Sequence, residues 1–97
     1  MRTYLFEVVL PSVADFAARN DLEDALEAAL AANGLGEVSG AGLGRGGAHL
    51  DVDVTDPVRG LAAIRQTLVL AGAPPDTVIV QRDPVVVRHP LVAPTVH

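Results

Sequence analysis

The chain contains no cysteine, no tryptophan and no lysine, and only Tyr4, Phe6 and Phe16 are aromatic. Without cysteine there is no disulfide framework, no thiolate nucleophile and no sulfur-ligated zinc site. Without lysine, all seven basic residues are arginine, at positions 2, 19, 45, 59, 65, 82 and 88. They are scattered, so no basic stripe exists to neutralise a phosphate backbone, and nucleic acid is not an expected partner. No apolar run approaches the ~20 residues of a membrane span, which argues against a membrane role. Met1-Arg2-Thr3-Tyr4 leads straight into a strand-like segment with no signal-peptide core. A cytoplasmic location is the expectation. Serine occurs only at positions 12 and 39, and neither lies in a G-x-S-x-G elbow. Neither pairs with a histidine in an evident triad, so nucleophilic catalysis has little to work with.

What is present is a folding chain. Hydrophobic residues make up 49% and charged residues 20% of the 97 positions, a balance that argues against disorder. A single domain of this size buries roughly 60–65% of its unfolded surface, enough for a core without staples. The formal charge of −5 speaks to solubility and association rather than to fold. Abundant Ala, Gly and Val with no Lys fits a bacterial genome rich in G and C.

Hydrophobic period divides the chain into alternating elements. Residues 3–10 alternate as a strand, with Tyr4, Phe6, Val8 and Leu10 on the better core face and Glu7 on the other. Pro11 ends it. Leu22, Ala25, Leu26, Ala29 and Leu30 recur at helical spacing. Asn20 or Asp21 is the expected N-cap, with Glu23 completing a capping box, and Asn33-Gly34 supplies the C-cap on which Leu35 folds back. Two strand-like runs over 37–54 flank a glycine-dense turn. Asp56-Pro57 opens a second helix, with Val58, Leu61, Ala62, Arg65, Leu68 and Val69 on one side and Ile64 and Ala71 flanking it. Residues 77–83 read as a last strand, with Val78 and Val80 inward, or Ile79 if the register slips by one.

The order βαββαβ is that of the split βαβ, or ferredoxin-like, arrangement. The expected fold is therefore α+β, one four-stranded antiparallel sheet in order 4-1-3-2. Two helices, at about 21–33 and 56–71, cover one of its faces. Leu26, Leu30, Leu61 and Leu68 should pack on Phe6, Val8, Leu50, Val52 and Val80. Residues 1–83 form the domain. The tail, 84–97, can add an edge strand, cover the sheet or reach a second subunit.

Two segments invite a chemical reading. Gly42-Leu43-Gly44-Arg45-Gly46-Gly47 matches G-x-G-x-x-G, but a dinucleotide fold needs those glycines to open a helix, and here they lead into a strand. A kinase-type glycine loop needs a downstream lysine. A bulged hairpin remains, with an anion site on Gly44, Arg45 and Gly46 as the weaker alternative. In the next strand, Ala48, Leu50, Val52 and Val54 alternate with His49, Asp51 and Asp53. If the first and third strands are neighbours, Glu7, His49, Asp51 and Asp53 share the uncovered face. Such a set suits a partner-docking surface; an oxygen-ligated divalent cation or acid–base work are the alternatives. His89 and His97 in the tail have no preformed geometry for a metal.

The residues point to a non-enzymatic binding or regulatory module acting through its acidic open face, with no cofactor and no metal. Its expected partners are itself, as a homodimer, and a basic protein of the kind an immunity or inhibitor protein covers. The rival is a small dimeric enzyme or ligand-binding protein with a pocket between sheet and helices. The chain resembles ferredoxin-like α+β barrels of that kind only in length and element order.

Overall fold

The structure, a computed structural model, describes residues 2–82 and 85–91. The elements run β1 (Tyr4–Leu10), α1 (Phe16–Ala32), β2 (Gly36–Gly44), β3 (Gly47–Val54), α2 (Pro57–Leu70), β4 (Val78–Gln81) and β5 (Val87–Pro90). The strands make one antiparallel sheet in the order β2-β3-β1-β4-β5. The architecture is α+β with two helices. The expected end of the last strand at Asp83, and His97, lie outside the described residues.

The sheet is one strand wider than expected. Without β5, the outer edge of β4 would present unpaired N–H and C=O groups, a template for unwanted pairing. Residues Val87 to Pro90 cover that edge in register with Gln81 to Val78. Pro90 is tolerated because it lies on an edge strand, where one missing donor breaks no central ladder. The Leu91 N–H then donates to Thr77 O at 3.2 Å, and Leu91 itself is buried.

Helix α1 begins five residues before the expected cap. Asp15, in extended backbone, is the N-cap, and its carboxylate accepts from the Ala18 N–H at 2.8 Å. Helical spacing extends backwards from Leu22 to Ala18, so the apolar stripe is Ala18, Leu22, Leu26 and Leu30. Asn20 and Asp21 lie inside the helix, and the capping box with Glu23 does not form. No acidic residue occupies the first turn, so Asp21, Glu23, Asp24 and Glu27 stand too far along to draw much from the macrodipole. The C-terminus follows the expectation. Gly34 takes φ +61°, the Leu35 N–H donates to Leu30 O at 3.0 Å, and Leu35 folds back into the core.

Helix α2 starts where expected, with Asp56 accepting from the N–H groups of Val58 and Arg59, both at 3.0 Å. Its buried face is different. Gly60, Ile64 and Leu68 face inward, whereas Val58 is 78% exposed and Val69 and Leu70 also face solvent. Gly60 sets this phase. A Cβ there would stand 2.7 Å from Val54 Cγ2, so the helix rides closer to β3 than any larger residue allows. Leu61 is only partly buried at the rim. Arg65 leaves the apolar stripe to donate to Pro90 O at 3.0 Å.

The core lies between one sheet face and both helices. Phe6, Val8, Leu10, Leu50, Val52, Val54 and Ile79 meet Leu22, Leu26, Leu30, Ile64 and Leu68 in one cluster. The β1–β4 register puts Ile79 opposite Val8, so Ile79 and not Val80 joins that core. Val80 is buried, at 2% exposure, but it lies on the opposite face beside Glu7.

Candidate functional site: the open face of the sheet

Every residue out of phase with Phe6 and Val8 points away from the helices, and the registers set these residues in rows across the sheet. One row reads Gly40, Asp51, Glu7, Val80, Arg88 from β2 to β5. The row on one side of it reads Glu37, Asp53, Leu5, and Arg82 continues it, its N–H donating to Leu5 O at 2.8 Å. The row on the other side reads Gly42, His49, Val9, Val78, Pro90. Thus Glu7, His49, Asp51 and Asp53 do share one face, with Asp51 directly opposite Glu7.

Local sequence explains how these side chains are held. The register of β2 shifts between Val38 and Gly40, a bulge that carries Ser39 out of the alternation. Beyond it, Gly40 and Gly42 fall opposite Asp51 and His49. A Cβ on Gly42 would stand 2.2 Å from His49 Cε1, and one on Gly40 would stand 2.9 Å from Asp51 Oδ2. The imidazole and the carboxylate therefore lean over a strip of bare backbone. The strip leaves β2 low and the acidic groups of β3 standing above it. Glu7 is engaged: Arg82 Nη2 donates to its Oε1 in an ion pair across β1 and β4.

Among the described residues, no group of three or more His, Asp or Glu is placed to hold a metal ion. Glu7, His49, Asp51 and Asp53 are spread along two strands and do not converge on a point. The glycine segment is the tip of the β2–β3 hairpin. Gly44 pairs with Gly47, and Arg45-Gly46 is the exposed two-residue tip. Gly47 needs φ +95°, and a Cβ there would come within 2.3 Å of Leu10 O. These constraints account for Gly42 and Gly47, whereas a Cβ on Gly44 or Gly46 would meet open space.

Among the described residues, apolar side chains pack the space between sheet and helices. Phe6, Leu10, Leu26, Leu30, Leu50, Ile64 and Leu68 are all fully buried there. The described clefts are shallow and sit at helix margins. One of about 280 Å³ lies by Ser12, Asp15, Asp21 and Gly72, and another of about 240 Å³ lies by Asn33, Arg59 and Gln66. A third, of about 310 Å³, lies by Glu27 and Glu37. Ser12 Oγ donates to Asp76 in the region of the first, with no histidine near it in the lining.

On the helix-covered side of β5, His89 lies opposite Ile79 and its Nε2 is buried without a hydrogen-bond partner. Burial holds its pKa below the ordinary histidine value, and the nearby Arg65 guanidinium adds to the depression.

Glu37, Arg82, Arg88 and Val80 belong to the open face and escape a reading by sequence alone. Arg82 is two residues beyond Val80 and shares its parity, a signal that becomes usable only once the β1–β4 register is known. Glu37 is masked by the bulge, and Arg88 by its place beyond the last expected strand. Among known proteins, no family model, no curated protein and no solved structure matches the chain at a significant level.

Proposed function

We propose that this chain is a ferredoxin-like split-βαβ module with an added edge strand, and that it is a non-enzymatic binding module. It acts by docking a protein on the face of its sheet that the two helices leave uncovered. In support of the fold, β2-β3-β1-β4 is the 4-1-3-2 order read from its other end. Both helices pack into one core on one face. The observation that carries the functional reading is the composition of the other face. Half-buried Leu5, Val9 and Val78, with the Arg82-paired Glu7 among them, lie between the carboxylates of Glu37, Asp51 and Asp53 on one side and arginines on the other. An antiparallel sheet normally meets water with polar residues, so three apolar side chains on this face favour its being covered by a partner. The partner brings apolar surface and cationic groups to the same plane.

Recovery of the tagged protein from its source organism, with intact-complex mass spectrometry, tests this. Two variants accompany it: Asp53→Arg on the open face, and Val58→Asp on the solvent side of α2. The reading expects an assembly that the native chain and Val58→Asp retain and Asp53→Arg loses. An assembly lost only with Val58→Asp would move the docking surface to the helices and defeat it.

A further inference from the structure

The open face is electrically divided across the width of the sheet. Asp51 on β3 and Arg88 on β5 occupy one row, with Glu7 and Val80 between them. Strands ~4.8 Å apart put those two positions roughly 14 Å apart. In the next row, Glu37 and Asp53 hold the β2–β3 side, and Arg82 holds the β4 side. The acidic margin and the basic margin thus flank the band of Leu5, Val9 and Val78. Arg88 is exposed on the edge strand, whereas Arg82 is already paired with Glu7.

We propose that the occupant of this face is a second copy of the chain, related by a twofold axis lying in the interface, parallel to the strands, between β1 and β4. The proposal rests on the docking reading above and adds the partner and its orientation. Rotation about that axis carries the acidic margin of each copy over the basic margin of the other, and lays β1 of each over β4 of its mate. Asp51 then opposes Arg88 twice, as an isologous interface requires. An axis in the same plane but across the strands would stack acid on acid, which like-charge repulsion opposes. Stacked sheets stand ~10 Å apart with nearly aligned strands, which suits a long arginine reaching a short aspartate. The guanidinium fork pairs with a carboxylate through two hydrogen bonds, a geometry lysine lacks.

The axis leaves β2 outside the overlap, and β4 and β5 are four residues long, so four strands overlap over about four residues, roughly 19 by 13 Å or about 250 Å² per copy, below the range of stable specific interfaces. The dimer is therefore weak and reversible, and it loosens as salt screens the paired margins.

Sedimentation of the purified full chain in low salt, alone and with Asp51→Arg and Arg88→Glu, tests this. Each charge reversal alone turns both symmetric attractions into repulsions, so each should raise the dimer dissociation constant at least roughly tenfold. An equimolar mixture of the two variants restores opposite charges at both contacts and should dimerise about as tightly as the native chain. That restoration also shows both variants to be folded. A native chain that stays monomeric at high micromolar concentration overturns the proposal. So does a dimer indifferent to both reversals, or a mixture that fails to recover. If the chain is monomeric alone but loses an assembly with a different protein on Asp53→Arg, the face still docks a partner and only the second copy is wrong.

Discussion

Gly60→Ala sets two well-characterised effects against each other. In a helix interior, replacing glycine with alanine ordinarily gains about 1 kcal/mol, because alanine loses less backbone entropy on folding. At this site the new Cβ would stand 2.7 Å from Val54 Cγ2, 2.8 Å from Val54 Cβ and 3.0 Å from Val54 Cγ1. Val54 is fully buried and β-branched, so it has no free rotamer into which to retreat. Overpacking of this kind costs roughly 1–3 kcal/mol, which outweighs the helical gain. The net expectation is a loss of about 1 kcal/mol, or a fall of roughly 4–8 °C in the thermal midpoint for a domain of this size. Val54→Ala alone should cost about 2 kcal/mol through lost burial of two methyl groups. In that background the two methyl contacts are gone and only the Cβ of residue 54 still stands 2.8 Å from the new Cβ, so adding Gly60→Ala should cost less than it does in the native chain. A double-mutant cycle by thermal and urea unfolding reads that coupling. If Gly60→Ala stabilises the native chain, helix α2 does not approach β3 this closely and its described phase is wrong.

Other consequences are equally direct. Leu26→Ala removes a fully buried side chain that α1 sends into the core and should cost about 2–5 kcal/mol in urea unfolding; a loss below about 1 kcal/mol would contradict its placement. Asp15→Ala should cost about 1 kcal/mol because it removes the α1 cap, whereas Asn20→Ala should be near neutral, and the opposite ranking would return the helix start to residue 20. The folded-state pKa of His89 is depressed, so the unfolded chain takes up that proton first. Its contribution to stability is present above the ordinary histidine value of about 6.5 and is lost as pH falls below it. His89→Gln should therefore flatten the slope of stability against pH just below 6.5, and an unchanged slope would show that β5 does not hold this imidazole under α2.

Strand β3 was the most legible part of the chain. Ala48, Leu50, Val52 and Val54 alternate with polar residues without a break, so period alone separates the core from His49, Asp51 and Asp53. Gly34 was legible because positive φ after a helix needs glycine. Strand β4 was not, since Val78, Ile79 and Val80 are all apolar and carry no alternation; only the pairing of Val8 with Ile79 settles their faces. The phase of α2 was hidden because glycine registers as no hydrophobic signal, although its smallness lets the helix approach. The start of α1 was missed because Asp21, Glu23 and Asp24 imitate a first turn while Asp15 holds the cap. Arg88 could not be assigned to the open face from local pattern, because its strand exists only through pairing with β4.

Methyl chemical shifts followed during dilution in low salt test the open face most directly. If that face docks a second copy, the methyls of Leu5, Val9 and Val78 should move together with one midpoint, while Val58 and Leu70 on the solvent side of α2 stay still. Shifts centred on Val58 and Leu70, with Leu5, Val9 and Val78 unmoved, would contradict the account.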